Sequence, residues 1–104
     1  MKGKFYKEWD AQKDLVQIFR YYAREGGLSL ARRFSTQANN TFKRLADMPN
    51  MGVVYNPAHA HLGELRFFPI SGFEKHLVFY RAAEGGIEII RVLHSARDVT
   101  DILE

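Results

Sequence analysis

Two hydrophobic periods divide the chain. Leu15, Ile18, Phe19 and Tyr22 recur at steps of three and four, and a second series, Ala31, Phe34, Ala38, Phe42 and Leu45, follows the same rule. Such spacing draws one apolar stripe on an α-helix. Glu25-Gly26-Gly27 separates the series, so the pattern predicts one helix ending there, a second beginning near Ser29, and an antiparallel hairpin of the two. Asp10 stands where an N-cap of the first helix is expected. Arg32, Arg33, Lys43 and Arg44 fall off the apolar seam of the second.

Beyond Pro49 the period shortens. Three runs rich in aromatic and β-branched residues, Leu65 to Ile70, His76 to Arg81 and Ile87 to His94, are separated by Ser71-Gly72 and Glu84-Gly85-Gly86. They predict a three-stranded antiparallel meander. Strand alternation places Leu77, Phe79 and Arg81 on one face and His76, Val78 and Tyr80 on the other. Both faces are substantially apolar. The helices are expected to cover one, which leaves the other for a partner. Lys4-Phe5-Tyr6 reads as a short edge strand of the same sheet. Asn50 to Leu62, with Pro57 inside it, is the longest weakly patterned stretch and reads as a functional loop. The expected architecture is therefore an α+β fold with a short N-terminal strand, an antiparallel helix hairpin, then the meander, in a single domain spanning residues 1–104.

Composition narrows the chemistry. With no cysteine among 104 residues, disulfides and thiolate metal sites are excluded, which fits a reducing cytoplasm. His59-Ala60-His61 offers two imidazoles without a carboxylate at ligand-like spacing, so no metal is expected. There is also no nucleotide-binding glycine loop, nucleophilic serine motif or paired-carboxylate site, and no cofactor is expected. No apolar run approaches about 18 residues and no apolar segment follows Met1-Lys2-Gly3-Lys4-Phe5, so the expectation is a soluble cytoplasmic protein without membrane association. Lys and Arg number 15 against 12 Asp and Glu, a formal +3 that permits a nucleic acid or an acidic partner without selecting either.

Arg66, Arg81 and Arg91 lie on successive strands. They are expected either to cluster as a clamp for phosphates or an acidic partner, or to pair one by one with Glu64, Glu74 or Glu88 while their stems lie on apolar surface. His94, followed by Ser95-Ala96-Arg97-Asp98, stands at a strand end. It suits general acid–base cleavage of RNA with an arginine on the developing charge, or a turn that fixes the chain's exit. Phe67, Phe68, Phe73, Phe79 and Tyr80 suit base stacking or a core.

The strand residues Leu65-Arg66-Phe67-Phe68-Pro69-Ile70, Leu77-Val78-Phe79-Tyr80-Arg81 and Ile87 through Asp98, above all the pairing of Phe-Tyr-Arg with Leu-His-Ser-Ala-Arg-Asp, closely resemble the ParE branch of the RelE/ParE toxin superfamily. Asp14-Leu15, Ile18, Tyr22, Ala31, Phe34, Leu45, Pro49 and Gly52 extend the resemblance over nearly the whole chain. It implies the toxin of a type II toxin–antitoxin pair, neutralised by a ParD-like or related antitoxin. On this reading the antitoxin-facing residues are Phe79, Tyr80, Phe19 and Tyr22, and the target- or partner-contact residues are Arg66, Arg81, Arg91, His94 and Arg97. The implied action is poisoning of DNA gyrase by binding, with no catalytic residue and no sequence-specific DNA binding by the chain alone. The alternative is a ribosome-dependent mRNA interferase using His94, Arg81 and Arg91, with His76 a further candidate. The basic or aromatic group that such ribonucleases carry near the C-terminus is absent from Val99 to Glu104. Val53 replaces a frequent basic residue after Gly52, and Ser95 a frequent glycine. A third possibility is a family member without toxicity.

Overall fold

The computed structural model describes residues 3–55, 64–95 and Val99. Strand β1 (Lys4–Lys7) leads into the helical element α1 (Trp9–Asp47), a 3-10 turn (Pro49–Met51) and β2 (Val53–Tyr55); β3 (Leu65–Ile70), β4 (Phe73–Ala83) and β5 (Gly86–His94) follow. The strands form one mixed sheet in the order β1-β5-β4-β3-β2. The β3-β4-β5 meander is antiparallel as its turn signals require. It is part of a larger sheet, however. β1 pairs in parallel with β5, and β2 extends the opposite side antiparallel to β3. The α+β class is as expected, and the sheet is wider than expected. Val53-Val54-Tyr55 is too short to display a period, yet its β-branched and aromatic residues suit a pleated edge. Residues 56–63, which include His59 and His61, lie outside the described residues.

The helical region also differs from expectation. The two expected helices are present as arms of α1, but the break between them is Gly27 alone, at φ 88° and ψ 170°, in place of a loop. Positive φ costs glycine little, so one residue suffices for the break. Twelve residues of straight helix would span about 18 Å. The Tyr22 and Phe34 rings nevertheless lie 5.5 Å apart, so the two arms, residues 9–26 and 28–47, are folded toward each other. Asp10 is not the cap. Glu8 occupies that position without a side-chain cap bond, and Asp10 lies in the first turn, where a negative charge suits the exposed amides. Among the described residues no helix is long and apolar enough to cross a membrane.

Each sheet face has its own core. Phe34, Phe42 and Leu45 of α1 pack with Ile70, Val78, Tyr80, Ile87, Ile89 and Val92. Fully burying a side chain of this size contributes roughly 1.5–3 kcal/mol. On the opposite face Leu65, Phe79 and Leu93 form a smaller cluster with Tyr55, Phe67, Leu77, Ile90 and Val99. The face expected to wait for a partner is thus partly covered by this chain's own aromatic residues. The alternation along β4 is as read, with Val78 and Tyr80 under α1 and Leu77 and Phe79 opposite.

A register shift interrupts β4 and β5. Phe79 is opposite Arg91, whereas Tyr80 is opposite Ile89, so Ile90 is an extra residue on β5. Strict alternation would put Ile89 and Val92 on opposite faces. The bulge lets both enter the α1-side core, while Ile90 and Leu93 join the other.

The β4–β5 turn meets β1 closely. Lys4 N–H donates to the Gly85 carbonyl at 2.9 Å, and a Cβ added at Gly86 would overlap the backbone of Lys4. Gly86→Ala is therefore expected to push β1 away from β5 and cost on the order of 1–3 kcal/mol. Urea denaturation checks this; an unchanged midpoint would contradict the close approach.

Candidate functional site

The three strand arginines do not converge. Arg91 turns to α1, where its Nε donates to Asp14 Oδ2 at 2.8 Å and its Nη2 to Oδ1 at 2.9 Å. Asp14 Oδ2 also accepts the Val92 N–H at 3.0 Å. One carboxylate thereby receives a bidentate guanidinium and a backbone donor next to the bulge. Arg81 places Nε and Nη2 on Glu88 Oε1 at 2.9 and 2.6 Å, across the β4–β5 rung where the two residues are opposite. Arg66 Nη2 lies 3.0 Å from Glu64, and its Nη1 donates to the Gly52 carbonyl at 2.7 Å. Two of the three acid partners were among the expected ones; Asp14 was not.

Arg66 shares Gly52 with Tyr80. The Tyr80 hydroxyl donates to the Pro49 carbonyl at 2.7 Å and accepts the Gly52 N–H at 2.8 Å. A Cβ at Gly52 would strike the phenol, so glycine is needed for this approach. The turn that follows α1 is thus gripped from β3 and β4. Burial pushes the Tyr80 hydroxyl above its ordinary pKa, while the Gly52 amide and the Arg66 charge pull the other way. Phe79 and Tyr80, expected to face a partner, are interior at 1% and 0% exposure. Aromatic residues on a central strand here meet a core on each side.

His76 is buried beneath α1, and its Nε2 lies 2.8 Å from the Tyr22 hydroxyl. Phe34 and Phe73 complete an aromatic group around Tyr22. Burial and then the neighbouring Tyr21 raise the Tyr22 pKa. His94, half-buried, stands opposite His76 with ring centroids 5.8 Å apart. His94 and Arg81 therefore mark opposite ends of the β4–β5 pair. Along β4, His76, which is opposite His94, lies five residues from Arg81, a span of about 17 Å. Arg81 and Arg91 do border one hollow of about 280 Å³ with Glu8, Trp9, Asp10 and Ile90. Trp9 is 71% exposed there, a surface aromatic that no sequence period flagged. The Glu8 carboxyl is raised above its usual range, first by its hydrogen bond with Glu88 and then by that residue's charge. Arg97 lies outside the described residues.

A second concavity, about 380 Å³, runs between the arms of α1. Leu15 and Phe19 line it from the first arm and Phe34, Ala38 and Phe42 from the second, with exposed Lys7 and Arg20 beside them. Phe19 is half-buried and lines this concavity. Tyr22 is committed largely to the interior.

The Tyr80 grip is expected to show in alkaline solution. An unfolded tyrosine ionises near pH 10, whereas the folded Tyr80 hydroxyl holds its proton to higher pH. This contribution is therefore fully present below about pH 10 and declines as pH rises through the folded value. Tyr80→Phe should remove it and cost roughly 1–3 kcal/mol at neutral pH, because two backbone groups lose their partner. Denaturation of both chains at neutral and alkaline pH measures the difference; a variant as stable as the parent at neutral pH would contradict the grip.

The family model described as ParE toxin of type II toxin-antitoxin system, parDE, matches residues 8–99, a span that includes Asp14, Gly52, Tyr80 and Arg91. No curated protein sequence matches the chain. Among solved structures, the chromosomal ParDE TA system from P. aeruginosa is similar with a TM-score of 0.70, over 89% of this chain and 96% of that one, at 17% identity. Likeness at that identity is one of fold, and the family rests on the match across residues 8–99: the chain belongs to the ParE toxins of type II toxin–antitoxin systems.

Proposed function

We propose that this chain arrests growth in the cytoplasm by binding DNA gyrase and trapping it on cleaved DNA, and that a ParD-like antitoxin neutralises it. Family membership supports a toxin with an antitoxin partner. The observation favouring binding over chemistry is that the arginines RNA cleavage would use are engaged by carboxylates and that His94 stands away from Arg81. Arg91 is engaged by Asp14 and Arg81 by Glu88, and His94 is at the far end of the strand pair from Arg81. The action then depends on shape and surface. The hollow around Trp9, Arg81 and Ile90 has the aromatic and arginine content of an interface hot spot and is our candidate target surface. The apolar groove between the arms suits an antitoxin segment that folds as it binds.

A plasmid cleavage assay with purified gyrase, ATP and the toxin released from its antitoxin tests this reading. Linear plasmid should accumulate after protein removal, and Trp9→Ala should reduce it at least tenfold without unfolding the chain. Absence of linear plasmid from a folded, growth-inhibiting sample, with ribosome-bound mRNA cut instead, would overturn it.

A further inference from the structure

The sheet arginines each lie beside a carboxylate, at 3.0 Å for Arg66–Glu64, 2.6 Å for Arg81–Glu88 and 2.8 Å for Arg91–Asp14. The second arm of α1 is different. Residues 28–47 contain four basic residues and one acid, Asp47 at the last position, so this arm alone carries +3, as much as the whole chain. Its inner stripe, Ala31, Phe34, Ala38, Phe42 and Leu45, is buried. The cations are therefore held outward on a helix that is regular beyond Gly27.

They come as two pairs, Arg32-Arg33 and Lys43-Arg44, all exposed. Members of the two pairs are separated by three helical turns, about 16 Å along the axis and within about 20° of the same side. Between the pairs the exposed residues are Thr36, Asn39 and Asn40, which are uncharged hydrogen-bonding groups. The arm's exposed apolar residue Leu28 stands at one end, and Met48 follows the other. Arg44 is partly oriented already, its guanidinium 5.9 Å from the Phe68 ring centroid.

This composition selects among polyanions and proteins. A protein interface needs apolar anchors at its centre, and insertion into a bilayer surface needs an apolar face; the middle of this strip has neither. Arginine, lysine, threonine and asparagine side chains are common donors to phosphate oxygens. With pairs about 16 Å apart along the axis and on nearly the same side, the exposed face of this helix can lie along the duplex so that each pair meets backbone phosphates. We propose that the second arm of α1 binds the phosphate backbone of double-stranded DNA without reading its sequence. This contact goes beyond the gyrase reading and does not depend on it.

The test is fluorescence anisotropy of labelled duplexes of about 20 base pairs, in two unrelated sequences, titrated with the full toxin between about 50 and 200 mM salt. Both duplexes should bind equally, with log K falling against log salt at a slope of about −3.6 for four phosphate contacts. Arg32→Gln with Arg33→Gln, or Lys43→Gln with Arg44→Gln, should each make that slope shallower by about 1.8, and all four together should abolish binding. Lys13→Gln with Lys75→Gln, exposed lysines of the first arm and of β4, removes the same charge away from the strip and should leave the slope unchanged. Circular dichroism establishes that each variant is folded, and the two pair variants remain informative if the fourfold one is not. No binding at the lowest salt, an equal loss from the Lys13/Lys75 variant, or binding to phosphatidylserine vesicles in place of DNA would overturn the proposal. Gyrase is absent from the mixture, so the result is separate from that of the cleavage assay.

Discussion

The carboxylate of Asp14 joins the two layers of the protein at the point where the sheet is irregular. The extra residue at Ile90 lets Ile89 and Val92 enter the same core, but it disturbs the β4–β5 ladder beside Val92. Asp14 reaches across from α1 and accepts that amide together with two donors from Arg91. A donor or a charge buried without a partner would cost several kcal/mol, so acid, arginine and bulge have to occur together. Arg91 thereby acts as part of the core's support, although a strand arginine among apolar residues reads at first as a surface for ligands.

The same economy governs the other end of the sheet. Tyr80 and Arg66 hold the turn between α1 and β2 through backbone groups of Pro49 and Gly52. That contact carries the helix C-terminus into a strand at the sheet's edge. With Arg66, Arg81 and Arg91 all drawn into such contacts, the exposed cations of the sheet are Lys4, Lys7 and Lys75, and those of the second arm of α1 are Arg32, Arg33, Lys43 and Arg44. In a toxin built this way the hollow at Trp9 and the groove between the arms are backed by residues that also hold the fold together, Arg91 in the first and Phe34 and Phe42 in the second, whereas the cations of the basic strip are exposed.

Much of this architecture is legible in the sequence because burial enforces period. The meander, its turns and the alternation along β4 follow from side chains that must choose a face. The stripes of α1 were readable for the same reason. The bulge was not, because one inserted residue leaves only the odd spacing of Ile89 and Val92 as its trace. Gly26-Gly27 marked the break in α1, yet doublets of glycine do not say whether one residue or a loop will turn the chain. β2 was missed because three residues carry no period. Among the site residues, Arg66 and Arg81 have acids two and seven positions away, within reach of local reasoning. The partner of Arg91 lies 77 positions away. The available clue was that Asp14 stands inside the apolar stripe of the first arm, between Ala11 and Ile18, where an acid needs a cation.

Amide hydrogen exchange at Val92, read by NMR in the parent chain and in Asp14→Asn, tests the clamp most directly. If Asp14 holds the bulge, the Val92 amide is protected in the parent to near the level of global unfolding and loses roughly a hundredfold or more of that protection in the variant, corresponding to about 3 kcal/mol. Neighbouring β4–β5 amides lose less. Equal protection of Val92 in the two chains would contradict the account and return Arg91 to the list of residues available to a target.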